Sequence, residues 1–328
     1  MRLPPHALNA TCDVASVTSP FQAWGWLHVA QRPARQAARG MNLFRSQRET
    51  YMSDSRSADC TIAVIKIGGS ILKNTRAYAC AARYVRNRYA ASPDERLVVV
   101  VSAQEGVTDR LAATACQVIA QPNPSALDLL WSTGELRSVA LLALHLQALG
   151  VSAAPLNIHE AGLAIPDTAR IAATTPHDVR INSHRLRSVL SQHSVAVVPG
   201  FFATDAAGAV RSLGRGGSDL TAVLLAKGLN ASRCELLKDV PGYFSSDPHV
   251  NPNARHLPHL TFEEALTLAD NGCDLLQRQA IEVAARCDLP LVVSSLDESA
   301  PTSRVTATQE GASSSNADAL SPEAVVGI

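Results

Sequence analysis

Thr61-Ile62-Ala63-Val64-Ile65-Lys66-Ile67-Gly68-Gly69-Ser70 is the stretch that decides the fold. A short run rich in β-branched side chains, too brief for a buried helix and closed by two glycines, reads as a strand covered on both faces. The same pattern recurs outward along the chain. Strands are expected at 61–67 (TIAVIKI), 96–102 (RLVVVVS), 151–156, 194–199 (SVAVVP), 234–238 and 289–295 (LPLVVSS). Helical stretches fall between and around them, at 74–90, 107–120, 125–149, 183–192, 218–228, 261–271 and 274–286. Several open on Asp, Ser or Thr, which can cap free amides, and Ser218 and Asp219 read as the caps of the helix that follows them. Alternating strands and helices build β-α-β units, so the class is α/β with a largely parallel sheet.

Composition narrows the function. The chain has 328 residues, 46% of them hydrophobic, which is ample for a well-filled core. Lys and Arg number 29 against 29 Asp and Glu, so nucleic acid and anionic membrane surfaces are not expected partners. No run approaches the roughly 20 apolar residues that span a bilayer. Seven scattered cysteines (Cys12, Cys60, Cys80, Cys116, Cys234, Cys273, Cys287) form no C-x-x-C pair, and an odd number suits reduced thiols in a cytoplasm. Residues 1–58 are arginine-rich and lack a sustained apolar period, which reads as a disordered leader or a mis-set start. Met41 and Met52 both precede the first strand, and an import leader is the other reading. The folded domain is expected over 59–306, with 307–328 as a flexible tail.

Four pieces carry chemistry. Lys66-Ile67-Gly68-Gly69-Ser70 runs from a strand into two glycines and a hydroxyl, where backbone amides and an ammonium would cradle phosphate. An ordinary strand-to-helix turn with a solvated lysine has the same residues. Leu213-Gly214-Arg215-Gly216-Gly217-Ser218-Asp219 sets an arginine between glycines, which suits a guanidinium gripping a carboxylate or phosphate. Lys238-Asp239-Val240-Pro241-Gly242-Tyr243-Phe244-Ser245-Ser246-Asp247-Pro248 starts at a strand's carboxyl end, where ligands collect in open α/β sheets. Its turn and aromatics would form a purine slot, or simply staple a loop. Glu135, in Ser132-Thr133-Gly134-Glu135, is a carboxylate inside an apolar helical run, so it is expected to face a cleft and meet a cation, a helix-surface position being the alternative.

In order along the chain stand K-I-G-G-S, V-S-A-x-x-G-V-T-D, S-x-G-E, V-V-P-G-F, L-G-R-G-G-S-D-L-T-A and K-D-V-P-G-Y-x-x-S-D-P. That series resembles the catalytic half of aspartokinases over residues 61 to 305 or so. The resemblance implies a three-layer α/β/α sandwich of the amino acid kinase and carbamate kinase type. It also implies ATP bound with Mg2+, an amino-acid substrate and a homodimer. Lys66 would meet the transferring phosphoryl with Asp219 beside it, and Gly68, Gly69 and Ser70 would surround the phosphates. Glu135 would take the substrate ammonium and Arg215 its α-carboxylate, with Thr108, Phe201 and Ser218 lining the pocket. Lys238, Asp239, Phe244 and the turn reaching Pro248 would hold the nucleotide.

The implied chemistry needs no general base, because a substrate carboxylate is already ionised at neutral pH. Its product is an acyl phosphate. Three differences from the family pattern stand out. K-I-G-G-S-I replaces K-F-G-G-T-S; His249 follows Asp247-Pro248 where an arginine is common; and Asp274 stands where a lysine is common, leaving Lys238 to supply charge. The chain stops soon after Ser294-Ser295-Leu296, without the small-ligand domains that aspartokinases append, so feedback control is not expected. Two further readings stay open: a catalytically weak binding partner, and a kinase of another small carboxylate.

Overall fold

The computed structural model of the protein describes residues 61–165, 179–214, 216–246, 248, 251 and 253–308. The expected leader, all of the expected tail but 307 and 308, Arg215, Asp247 and His249 lie outside the described residues. In chain order come β1 (Ile62–Ile67), α1 (Thr75–Ala91), β2 (Arg96–Val101), α2 (Val107–Val118), α3 (Pro124–Ala148), β3 (Ala153–Pro155) and α4 (Ile158–Ala161). Next are β4 (Leu163–Ala164), β5 (Arg180–Ile181), α5 (His184–Leu190), β6 (Val195–Pro199), β7 (Phe202–Thr204), β8 (Val210–Ser212) and α6 (Gly217–Leu229). The remainder are β9 (Arg233–Leu237), β10 (Tyr243–Phe244), β11 (His256–Leu257), β12 (His259–Thr261), α7 (Phe262–Asp270), α8 (Arg278–Arg286), β13 (Leu291–Ser294) and β14 (Ser303–Thr306).

Eight strands form one sheet in the order β12-β14-β13-β9-β1-β2-β6-β3. Only β13 and β14 pair antiparallel; the other neighbours run parallel. The continuous apolar strands follow from this placement, because alternate side chains of one strand enter two different cores. Ile62 and Val64 join Val98, Val100, Ala196 and Val198 in a core shared with α6, α7 and α8. Ala63, Ile65 and Ile67 join Leu97, Val99, Val101 and side chains of α1 and α3 on the opposite face. Helices therefore cover both faces, and the three-layer α/β/α expectation holds.

Two smaller sheets were not expected from the sequence: β5-β4-β7-β8, and the ladder β10-β11. One expected helix is shorter. Asp274 and Leu275 form a turn, and α8 begins only at Arg278, because Gln277 is extended (φ −63°, ψ 128°). No helix of the described residues is long and apolar enough to cross a membrane. The five described cysteines, Cys80, Cys116, Cys234, Cys273 and Cys287, are unpaired.

Candidate active site

Even-numbered residues of β1 face α6, so Lys66 delivers its ammonium to the first turn of that helix. Lys66 Nζ lies 2.8 Å from Asp219 Oδ1, and Lys238 Nζ, just beyond β9, donates to Asp219 Oδ2 at 2.9 Å. Because β9 pairs directly with β1, the two lysines emerge side by side. Burial alone would raise the Asp219 carboxyl, but Lys66 and Lys238 overcome this and hold it well below the usual carboxylate range. Burial pulls Lys66 below the ordinary lysine range, with Asp219 opposing. Two ammonium groups thus share one carboxylate. The surplus positive charge makes this end of the cleft a site for an anion.

The glycines after β1 are required by close approach. A Cβ on Gly68 would sit 3.0 Å from Lys66 Nζ, and one on Gly69 would sit 2.9 Å from the backbone oxygen of Ala103. Gly69→Ala is therefore expected to destabilise the fold by about 1–3 kcal/mol. A urea midpoint matching that of the unmodified chain would contradict this packing.

The opposite wall comes from α3, whose buried face carries Ser132, Glu135, Ser138 and Leu142. Gly134 lets this helix pass the β2–α2 loop, since a Cβ there would meet Ala103 Cβ at 3.0 Å. Glu135 is only 3% exposed. The Ala103 N–H donates to its Oε1 at 3.3 Å, whereas Oε2 is buried without a partner. Burial pushes the Glu135 carboxyl up to about 7. Among the described residues no cation meets this carboxylate.

Phe201 follows β6 with φ 71°, in the left-handed region a bulky residue rarely occupies. Its N–H donates to Thr221 Oγ1 at 3.1 Å, and the Thr221 hydroxyl donates to the Gly217 carbonyl at 2.8 Å. The ring packs edge-on against Phe202, centroids 4.8 Å apart. Contact with α6 is close throughout: a Cβ on Gly200 would lie 2.7 Å from Ser218 Oγ. Ser218 and Asp219 do not cap α6, contrary to expectation. The helix starts one residue before them, its N-cap is the left-handed Gly216, and no side chain caps it.

These walls enclose a cleft of about 630 Å³ at the carboxyl ends of β1, β2, β6 and β9. Of the residues singled out from sequence, Lys66, Gly69, Ser70, Thr108, Glu135, Phe201, Ser218, Asp219 and Lys238 all line it, and Gly68 abuts Lys66. Asp239, Phe244 and Pro248 are not part of that lining. Asp239 is exposed, and the Phe244 ring meets His256 edge-on at 5.3 Å across the β10–β11 ladder. Arg215 lies outside the described residues. The sequence reading missed Gln277 and Arg278, which line the cleft from the start of α8 beside Asp274. Arg278 is held by Asp270 at 2.6 Å and by Glu282. Its charge is met by these two carboxylates, so it does not offset Asp274 on the same wall.

Residues 61–295 match the amino acid kinase family. An aspartokinase from Pseudomonas aeruginosa is 38% identical over 232 residues, covering 71% of this chain and 55% of that protein. The chain thus spans just over half the length of the curated relatives it matches. An aspartate kinase structure from Synechocystis superposes with TM-score 0.65 at 31% identity, covering 77% of this chain and 41% of that one. E. coli aspartokinase III in complex with aspartate and ADP superposes with TM-score 0.65 at 26% identity, over 76% of this chain and 65% of that one. Sequence match and three-layer fold agree: the chain belongs to the amino acid kinase family.

Proposed function

We propose that the chain transfers the γ-phosphoryl group of ATP to the side-chain carboxylate of L-aspartate or a close analogue, giving an acyl phosphate and ADP. The observation that carries this reading is a cleft with two kinds of incomplete pairing: a positive surplus at Lys66, Lys238 and Asp219, and a buried carboxylate, Glu135, that meets no cation among the described residues. The similarity to aspartokinases supports aspartate as the substrate.

The residues then have definable tasks. Glu135 receives the substrate ammonium, and Arg215, between its glycines, takes the α-carboxylate. The side-chain carboxylate is left pointing at the lysines. One of its oxygens attacks the γ-phosphorus as the bond from phosphorus to the β,γ-bridging oxygen breaks, and the electron pair leaves with ADP. Lys66 and Lys238 offset repulsion between the two anions, while Gly68, Gly69 and Ser70 shape the phosphate cradle. Asp219 holds both ammonium groups in place. Lys238 and the loop beyond it face the nucleotide. Mg2+ is expected to arrive with the nucleotide's phosphates. It would supply further charge neutralisation on the phosphates.

The full-length chain with L-aspartate, ATP, Mg2+ and hydroxylamine is expected to form aspartyl hydroxamate. Glutamate, carbamate and UMP serve as competing acceptors in parallel reactions. If aspartate and its analogues yield no product while another acceptor does, the substrate assignment fails.

A further inference from the structure

One buried hydroxyl beside the cleft has no part in the reaction just described. Thr221 lies in the second turn of α6, is 0% exposed, and is flanked by the buried Leu220, Ala222, Val223 and Leu224. Valine has nearly the same shape and no polar atom to bury, so packing alone does not call for threonine here. The hydroxyl is used twice. Its proton goes to the Gly217 carbonyl one turn back at 2.8 Å, which leaves a lone pair of Oγ1 to accept the Phe201 N–H at 3.1 Å.

Phe201 is the residue that this bond holds away from an ordinary conformation. At φ 71° its side chain crowds its own backbone, and a bulky residue keeps that geometry only where the surroundings fix it. They fix it from both sides. Thr221 takes the Phe201 N–H, and the Phe201 carbonyl accepts the Leu213 N–H at 2.7 Å. Glycines let the backbone come this near to α6: a Cβ on Gly200 would lie 2.7 Å from Ser218 Oγ, and one on Gly217 would lie 3.3 Å from Phe201 Cα. The Phe201 ring then reaches toward α3, its centroid 6.3 Å from that of Trp131, one helical turn before Glu135. Phe201 and Glu135 both line the cleft. Relaxation of Phe201 to a negative φ would swing the ring out of that place.

We propose that Thr221 is a positioning residue: by accepting the Phe201 N–H it holds Phe201 in the left-handed conformation and so keeps the ring as the cleft wall beside Glu135, against which the amino-acid substrate packs. The substrate's identity rests on the function proposed above; the anchoring of Phe201 does not.

The full-length chain is compared with its Thr221→Val, Thr221→Ala and Thr221→Ser variants. Thr221→Val keeps the shape and deletes both bonds. It is expected to raise KM for aspartate about tenfold, with kcat and KM for ATP changed less than about threefold. Thr221→Ser keeps the hydroxyl and should recover most of that loss. Hydrogen exchange of the Phe201 amide gives a readout independent of turnover, expected to be several-fold faster in the valine variant and unchanged in the serine variant. Equal rises in both KM values, a fall in kcat alone, a lower melting temperature with KM unchanged, a serine variant no better than valine, or unchanged exchange would each overturn the anchoring role. If Thr221→Val does not fold, Thr221→Ala takes its place under the same criteria, since it also lacks the hydroxyl and alanine suits a helix interior. Should the unmodified chain phosphorylate no amino acid, the substrate reading fails, and the exchange rates alone judge the anchor.

Discussion

Lys66→Met is expected to lower kcat by about three orders of magnitude while leaving the protein folded. Phosphoryl transfer between two anions depends on charge that is already in place when they meet. Lys66 sits at the end of the central strand with its ammonium 2.8 Å from Asp219, too buried for solvent to replace it. Removing one partner of a buried ion pair ordinarily costs about 3–5 kcal/mol, because a lone charge remains behind. Here it does not, since Asp219 keeps Lys238 at 2.9 Å. Methionine also has nearly the lysine stem's length and no charge to bury. The melting temperature should consequently stay close to that of the unmodified chain, which separates a catalytic loss from an unfolded one. Lys66→Arg is not expected to rescue turnover, because a planar guanidinium does not fit a space bounded by Gly68, whose Cβ would already lie 3.0 Å from the lysine nitrogen. Single-turnover measurement of ADP formation would decide the matter. Turnover within tenfold of normal in Lys66→Met would remove Lys66 from the chemistry.

The parts of this structure that the sequence makes legible are those whose physics is local. Ile62–Ile67 reads as a doubly covered strand because its alternate residues must enter two cores, and both demand apolar side chains. Lys66 could be picked out as the one charge in that run. Glu135 was visible for the same reason, as an acid in the apolar helix α3. That Lys66 and Lys238 grip a single carboxylate was not visible, because it depends on β9 settling beside β1 rather than on any spacing. The sheet β5-β4-β7-β8 also escaped, since strands of two or three residues carry no period to detect. For Phe244 the sequence left two readings open, a purine slot and a loop staple. Its ring meets His256, twelve residues on, through a ladder that no local pattern announces. At Ser218 and Asp219 capping propensity misled, because the left-handed Gly216 starts the helix by itself and frees Asp219 for the lysines.

Glu135→Gln is expected to trade substrate affinity for stability, in a manner that depends on pH. In the folded protein burial holds the Glu135 carboxyl near 7 against an ordinary 4.5. Between those values the folded state binds more protons than the unfolded chain, so stability falls as pH rises through that window and the loss is complete above about 7. A displacement from 4.5 to about 7 corresponds to a penalty of about 3 kcal/mol at pH 8. Glutamine carries no such penalty and can still accept the Ala103 N–H. At pH 5 the variant and the unmodified chain should have similar urea midpoints, both being neutral at this position. At pH 8 the variant should be the more stable, the gap widening progressively between. The same substitution leaves the substrate ammonium without its counter-charge, and affinity for aspartate should fall by about 30-fold or more. A third consequence follows from the bound state. An ammonium beside Glu135 favours the ionised carboxylate, so aspartate binding near pH 6.5 should release protons, seen as a calorimetric heat that varies with the buffer's ionisation enthalpy. In Glu135→Gln that buffer dependence should vanish. Proton release that persists in the variant would mean that Glu135 does not face the ammonium.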